Sequence, residues 1–591
     1  VYMKTENEQI QEMFDHIDEL FKLSKINEVE KYLQEILQEA ISLQEYGLQL
    51  AIYNEMMGYY RSLSRHDLAT YYAYEAIALL AKLDLVHDLQ GATTLLNSAT
   101  VYKEANRLEE ANVLYARCLA IYNQELDESD LRFLYFYNNY SDFCLKMGKV
   151  HLALNYLIKA LKLLNYQTNP IEYATTLTNL GSILFYQCHF KLSVAYLLKK
   201  AENLFTKGNG HSGYLYLILA DLLKNQASYE KALWIIKKNY GKNDLFYECL
   251  NHYEQWLMTT NQKELKILVK KEKNREIITG KELDYVYYLT YGKNLIEQKY
   301  LIYKDQMAVG LFGEGSECFG FDDKLSQDHD FYPRFCIFIP KAIYQKIGLA
   351  LEQDYQSLPT YLLGYSKEEN PYRPKREGVF CNEDYFSTYF GNHYLLENVL
   401  DWFYMNEEDL ALIQNGFYFE NTKSEFRQLQ RQLHYYPEDV RIKKIMTTLT
   451  KISKLGQYNY LRSKQRKDEV TAKRIKMMCV DEMIHLVYLL EKNYQPYYKW
   501  SWTYLKKVSR YKHLVKKIEE LAMLEEKIQD VYDPLQDPTA ILIELIAEEI
   551  IEILKKEGLT DQEDIFLQNH CNELRNKIKN STIKQMHVME G

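Results

Sequence analysis

One stretch of this 591-residue chain carries residue types spaced to handle a phosphate and a metal ion. An apolar run, Met307 to Phe312, leads into Gly313-Glu-Gly315-Ser316. A strand ending in such a turn lets backbone amides and a hydroxyl close on a phosphate with no side chain in the way. About a dozen residues on stand Asp328 and Asp330, just before a second apolar run, Phe335 to Ile339, which Pro340 ends. Two positions apart on an extended segment, the carboxylates face one side, about one metal ion apart. Magnesium takes oxygen ligands and shares them with substrate phosphates, so the pattern predicts a triphosphate site served by Mg²⁺ or Mn²⁺. Competing phosphate motifs fail: no Gly-Lys-Ser/Thr occurs, no His-Arg-Asp or Asp-Phe-Gly follows the glycines, and a dinucleotide fingerprint has no Asp-x-Asp in range. The alternative is a glycine turn whose aspartates cap or solvate it.

Together these residues resemble the Gly-Ser … Asp-x-Asp signature of the Pol β nucleotidyltransferases, which include kanamycin nucleotidyltransferase. The string Gly315-Ser-Glu-x-x-Gly-Phe-Asp-Asp-x-x-Ser-x-Asp-His-Asp330 looks like an uncharacterised bacterial family within that superfamily. The resemblance implies transfer of a nucleoside monophosphate, commonly AMP from ATP, with release of pyrophosphate. It assigns Gly313, Gly315 and Ser316 to the triphosphate and Asp328 and Asp330 to the metals. Active members add a third carboxylate, for which Gly378-Val-Phe-Cys-Asn-Glu-Asp offers Glu383 and Asp384. Neither sits in mid-strand, and acids at a helix start are the competing reading.

Two later patches resemble the same family, whose helical bundle packs beside the core: Gln457-Tyr-Asn-Tyr-x-Arg462 and Tyr494-x-Pro496-Tyr497-Tyr498-Lys499-Trp500. The extended similarity covers about Glu282 to Leu505. Arg462 and Lys499 are expected near the phosphates, where a fixed cation stabilises the departing pyrophosphate. Tyr497, Tyr498 or Trp500 would stack on a base or on the acceptor. The competing reading is an aromatic core cluster with a snorkelling lysine. Lys464-x-Arg466-Lys467 reads as solvated helix surface.

The elements ahead of this region repeat. Small residues pair twelve positions apart as Gly58 with Thr70, Ala99 with Ala111, Ser141 with Ala153, Gly181 with Ser193, and Ala220 with Ala232. Successive leading positions lie 41, 42, 40 and 39 residues apart. Small residues let two helices of a unit approach, while aromatic and aliphatic residues fill the space between units. The pattern resembles the tetratricopeptide repeat over about Glu30 to Leu257, with helices longer than its usual period of about 34 residues requires. Leu23 to Leu50 is expected to form a degenerate or capping pair. Asn97, Asn139 and Asn179 stand two residues before the small residue of three units. In the family that column faces the concave groove, where an amide offers donor and acceptor to a peptide backbone. Bonding within or between repeats is the other possibility. A protein or peptide partner is the default for such an array.

Length and composition bound the rest. A chain this long exceeds one hydrophobic core. Only 10 prolines favour helices. A net charge of −10 argues against a broad basic face for nucleic acid. Nine cysteines without a C-x-x-C pair suggest reduced thiols, and no signal peptide is recognised before the first helix. The apolar stretch Ala540 to Leu554 carries four glutamates and cannot span a bilayer, so a cytoplasmic protein without membrane contact is expected. The expected fold is multidomain and mainly α: a tetratricopeptide-like solenoid over 1–270, an α/β nucleotidyltransferase core with a mixed sheet over 276–400, and a helical bundle over 401–591. The expected function is Mg-dependent transfer of a nucleotide to a protein or small-molecule acceptor; an RNA end is possible but not favoured. The alternative is a non-enzymatic peptide-binding regulator or scaffold with a degenerate nucleotide-binding domain.

Overall fold

The computed structural model describes residues 5–22, 25–327, 331–367, 374–391, 396–420, 423–525 and 532–590. The protein is multidomain and mainly helical, with a small mixed sheet. It divides into two compact units, one of residues 1–278 with 360–367, the other of residues 279–359 with 368–591.

Among the described residues of the first unit, fourteen helices pair as seven hairpins. They are α1 (Glu6–Lys22) with α2 (Ile26–Leu43), α3 (Tyr46–Ser62) with α4 (His66–Lys82), α5 (Leu89–Glu104) with α6 (Leu108–Glu125), and α7 (Arg132–Lys146) with α8 (Val150–Leu163). Then come α9 (Pro170–Tyr186) with α10 (Leu192–Glu202), α11 (Ser212–Leu223) with α12 (Gln226–Tyr240), and α13 (Asp244–Leu257) with α14 (Lys263–Lys273). The small-residue columns explain most of this packing. Ala99, Ala111, Ala153, Ala220 and Ala232 are fully buried, and a Cβ on Gly181 would come within 3.0 Å of Leu198.

Three expectations need correction. Ser193 is exposed, and Val194 and Leu198 make the contact with Gly181 instead. Gly58 has open space where a Cβ would stand, so no close approach requires it. The stretch expected as a capping pair holds one helix, α2, and the start of α3; α2 packs against α1, and Leu23 lies outside the described residues.

The array curls until its second hairpin meets its seventh. Asn243 Nδ2 donates to the Ser62 carbonyl and the Asp244 N–H to Ser64 Oγ, both at 2.9 Å. His66 Nε2 lies 2.9 Å from Asp244 Oδ2. A hairpin, β3 (Tyr361–Leu362) and β4 (Tyr365–Ser366), completes the unit. Its tip, Leu363-Gly364, has φ of 49° and 75°, as a tight two-residue hairpin turn demands. Leu363 is buried and its N–H donates to Glu230 at 2.5 Å; Tyr361 stacks on Trp234, and Tyr365 donates to Glu272 at 2.9 Å. Burial pushes the Glu230 carboxyl up to about 7, and burial, with Lys242 beside it, pushes the Lys237 ammonium down to about 7.

The second unit is built on a sheet of order β5-β2-β1-β6, from β1 (Ala308–Leu311), β2 (Cys336–Ile339), β5 (Gly378–Cys381) and β6 (Phe417–Tyr418). Strand β1 runs antiparallel to β2 and β6, whereas β2 and β5 are parallel. Gly310 pairs with Cys336, Cys336 with Gly378, and Leu311 with Phe417. The end of β1 and the starts of β2, β5 and β6 therefore share one end of the sheet. One apolar core runs from Phe312 and Phe338 beside the sheet to Leu449, Leu490 and Ile546 on the later helices. Phe338 and Phe426 stack with centroids 3.9 Å apart, so sheet and helices are packed as one body.

Candidate functional site

The Gly-x-Gly-Ser segment leaves β1 at that shared end. Gly313 has φ 99° and Gly315 φ 132°, a region that L side chains rarely enter. A Cβ on Gly315 would also lie 2.4 Å from a carboxylate oxygen of Glu317. Glycine at 315 is thus required by its backbone, and a Cβ there would also displace the Glu317 carboxylate. Ser316 opens a short helix, Ser316–Phe319, and its hydroxyl is unbonded among the described residues.

The turn is held from beneath by Arg334, which the spacing argument missed. Arg334 is 2% exposed. Its guanidinium donates to Glu317 at 2.7 Å, to the Arg376 carbonyl at 2.6 Å and to Cys318 Sγ at 3.3 Å. Its backbone N–H donates to Asp284 Oδ1 at 2.8 Å. Burial drives the Asp284 carboxyl well above the usual range, against the pull of Arg334; burial likewise drives the Cys318 thiol up. From the other side Asn415 Nδ2 donates to the Gly313 carbonyl at 2.8 Å, and the Gly416 N–H to the Cys318 carbonyl at 3.0 Å. The stretch from Gly313 to Cys318 is therefore held by a buried cation and a buried amide.

Other acids at this end are mostly engaged. Glu314 lies 3.6 Å from Arg376, and Asp322 accepts the Gly280 N–H at 2.6 Å. Glu377, just before β5, accepts from Tyr332 at 2.8 Å. Asp409 has its carboxyl raised by burial and by the charge of Glu314. Asp328 and Asp330 lie outside the described residues. Among the described residues no group of three His, Cys, Asp or Glu is placed to hold a metal ion.

The expected third carboxylates do not belong to this end. Glu383 and Asp384 follow β5, whose parallel pairing with β2 carries them to the far end of the sheet, roughly 13 Å along the strand. Glu383 accepts the Lys341 N–H at 2.9 Å, and Asp384 lies 4.0 Å from Lys341 Nζ. Both are first-turn acids of the helix Asn382–Phe390, where the helix dipole favours negative charge.

The aromatic patch does come near the turn. Phe321 has Trp500 at 5.8 Å and Tyr504 at 5.1 Å between centroids. Tyr497 and Tyr498 are exposed, 4.3 Å apart. Lys499 is exposed, its ammonium 5.1 Å from the Trp500 ring. Arg462 is exposed and donates to Tyr458, one turn back on its own helix, at 2.5 Å; among the described residues no hydrogen bond or ion pair joins it to the turn. Lys464 is not solvated: it is buried and paired with Glu469 at 2.5 Å. Arg466 and Lys467 are exposed as expected.

In the array, two of the three column asparagines bond between repeats. Asn97 Nδ2 donates to Asn54 Oδ1 at 2.7 Å, and Asn54 donates to Thr94 at 2.9 Å. Two hairpins later, Asn179 donates to Asn138 and Asn138 to Thr176, both at 3.1 Å. Asn139 donates to the Tyr135 carbonyl of its own helix. Asn138, Asn139 and Asn179 also line a cavity of about 480 Å³ with Arg61, Lys103 and Asp142.

Residues 402–501 match a family described as a domain of unknown function, DUF4037, which places the Trp500 patch and Asp409 within the match. Among solved structures, the crystal structure of BtubC (BKLC) from P. vanneervenii is similar at 22% identity, covering 37% of this chain and 82% of that chain, with a TM-score of 0.27. No curated protein matches. Among the described residues no helix is long and apolar enough to cross a membrane.

Proposed function

We propose that the second unit transfers a nucleoside monophosphate, AMP from ATP in the first instance, to an acceptor, and that the repeats recruit a protein or peptide partner. The observation that carries this reading is the Gly313–Ser316 turn, which lies at one end of the sheet, has open space beside Gly313 and is clamped by Arg334 and Asn415. Its glycines let phosphate oxygens approach the backbone, and the unbonded Ser316 hydroxyl is available to donate to them. Trp500 and the exposed Tyr497 supply flat surfaces for a base beside Phe321. Most of the described carboxylates around the turn have partners, so Asp328 and Asp330 are the residues that would hold Mg²⁺ or Mn²⁺, which supplies charge neutralisation to the phosphates.

The test is incubation of the full chain with labelled ATP, Mg²⁺ and cell lysate, followed by mass spectrometry. Asp328→Asn with Asp330→Asn should abolish label transfer with little change in melting temperature, because removing mutually repelling charges does not unfold a protein. Transfer retained by the double variant would refute the assignment.

A second reading has its own support. With Glu383 and Asp384 at the far end of the sheet, the catalytic set is short of its expected third acid, as in a degenerate nucleotide-binding domain serving a peptide-binding scaffold. Nucleotide binding that is metal-dependent but never leads to transfer would favour it.

A further inference from the structure

Four helices of the array converge on one carboxylate. Asp221 on α11 is 6% exposed and accepts from Tyr186 on α9 and Tyr229 on α12, each at 2.5 Å, and from His252 Nδ1 on α13 at 2.6 Å. Burial alone would raise Asp221, but these hydrogen bonds outweigh it and hold the carboxyl below its ordinary value. The bond to Asp221 in turn raises His252 above 6.5, against the effect of burial.

Tyr186, Asp221 and His252 of this hub line an open cavity of about 480 Å³, large enough for one aromatic ring with a charged substituent. Phe185 and Trp256 supply an apolar wall, and Lys224 and Gln255 stand at the exposed margin. With Nδ1 committed to Asp221, the second ring nitrogen of His252 has no partner among the described residues. The Lys224 ammonium and the Gln255 amide are likewise unbonded among the described residues. The network fixes the ring and leaves a donor facing a cavity.

We propose that this cavity binds an aromatic oxyanion, its ring against Trp256 and Phe185 and its charged group taken by His252 and Lys224. The site is independent of the nucleotidyltransferase reading. An imidazolium held by a buried carboxylate donates a charge-assisted hydrogen bond in a fixed direction, and the aromatic wall selects planar anions over small inorganic ones. The charged groups facing His252 are Asp221 and Lys224 from α11 and its cap and Glu248 from its own helix, with the phenols of Tyr186 and Tyr229 on α9 and α12. Because the folded His252 is raised, its charge is present below its shifted value and is lost as pH rises through it.

The probe is benzenesulfonate, whose charge does not change over the range tested, titrated calorimetrically into the full chain. Binding at about pH 6 should weaken about tenfold by about pH 8.5. Inorganic sulfate, lacking the ring, should bind about tenfold more weakly than benzenesulfonate. His252→Gln, which keeps a donor but not the charge, should cost about tenfold or more, and Lys224→Ala about threefold. No heat at millimolar probe, or parent-like affinity in His252→Gln, overturns the proposal. Should His252→Gln fail to fold, Lys224→Ala decides: its side chain is exposed, and unchanged affinity there overturns the proposal as well.

Discussion

The glycine turn of the second unit and the asparagine column of the first both stand out by spacing, yet they use polar groups in opposite ways. At the turn, Arg334 and Asn415 give donors to Glu317, Cys318 and Gly313 of the loop itself, and the Ser316 hydroxyl is left unbonded among the described residues. In the column, Asn97 and Asn179 spend theirs on the next repeat. Regular spacing therefore marks a requirement, but only the hydrogen-bond ledger tells whether it is met inside the protein or left for a ligand.

The largest test of this contrast is Arg334→Met. It strands Glu317 beside an apolar side chain while the backbone N–H bond to Asp284 remains, and breaking a buried pair from one side costs about 3–5 kcal/mol. Denaturant unfolding should show that loss, and a Glu317→Leu second change should recover part of it, since replacing both partners is far milder than removing one. Equal stability of Arg334→Met and parent would mean that Arg334 does not hold the turn.

Gly315→Ala comes next. Its φ and the clash with Glu317 should cost about 1–3 kcal/mol and weaken nucleotide binding, whereas Gly58→Ala, with open space in mid-helix, should stabilise by up to about 1 kcal/mol. Thermal melts of the two variants side by side are decisive, because opposite signs are required. In the column, Asn97→Ala and Asn179→Ala should each lose about 1 kcal/mol of stability, and Asn139→Ala less, because its bond is exposed and lies within its own helix. If the triple alanine variant melts like the parent but loses its binding partners, the amides serve a ligand and the contrast fails.

A pH dependence gives a further test. Glu230 is raised to about 7 in the folded chain, against 4.5 as its ordinary value. A raised acid stabilises the fold fully below its unfolded value and loses that contribution as pH rises toward about 7. Glu230→Gln should therefore melt like the parent at about pH 4.5 and above it at about pH 8. Identical melting curves at both would show that Glu230 is not forced to ionise.

How much of this was legible depended on whether a constraint was local. Gly313 and Gly315 announce themselves, because no other residue suits their backbone. Arg334 does not, since its partners Asp284, Glu317 and Arg376 are scattered over the sequence and share no period. Glu383 and Asp384 were misplaced because strand direction is invisible in four apolar residues: an antiparallel β5 would have delivered them to the turn, and a parallel one takes them away. Lys464 sits in a run that looks solvated, and only the packing around Glu469 buries it. The repeats were readable because a small residue at a helix crossing is demanded again in each unit. Where that demand lapses, as at Gly58 and Ser193, the register was right and the residue was idle.

The hairpin at 360–367 has a consequence for the order in which the chain is made. The last surface of the repeat unit is supplied by residues that leave the ribosome more than eighty positions after α14 ends. Until Leu363 and Tyr365 emerge, Glu230 lacks the Leu363 N–H and Glu272 lacks the Tyr365 hydroxyl, and the end of the array is left uncovered by the hairpin. A fragment stopped at residue 278 is thus an interrupted domain rather than a minimal one. Its C-terminal repeats should be its first site of proteolytic cleavage, and the eight missing residues, added back as a cyclised peptide, are the reagent that should protect it.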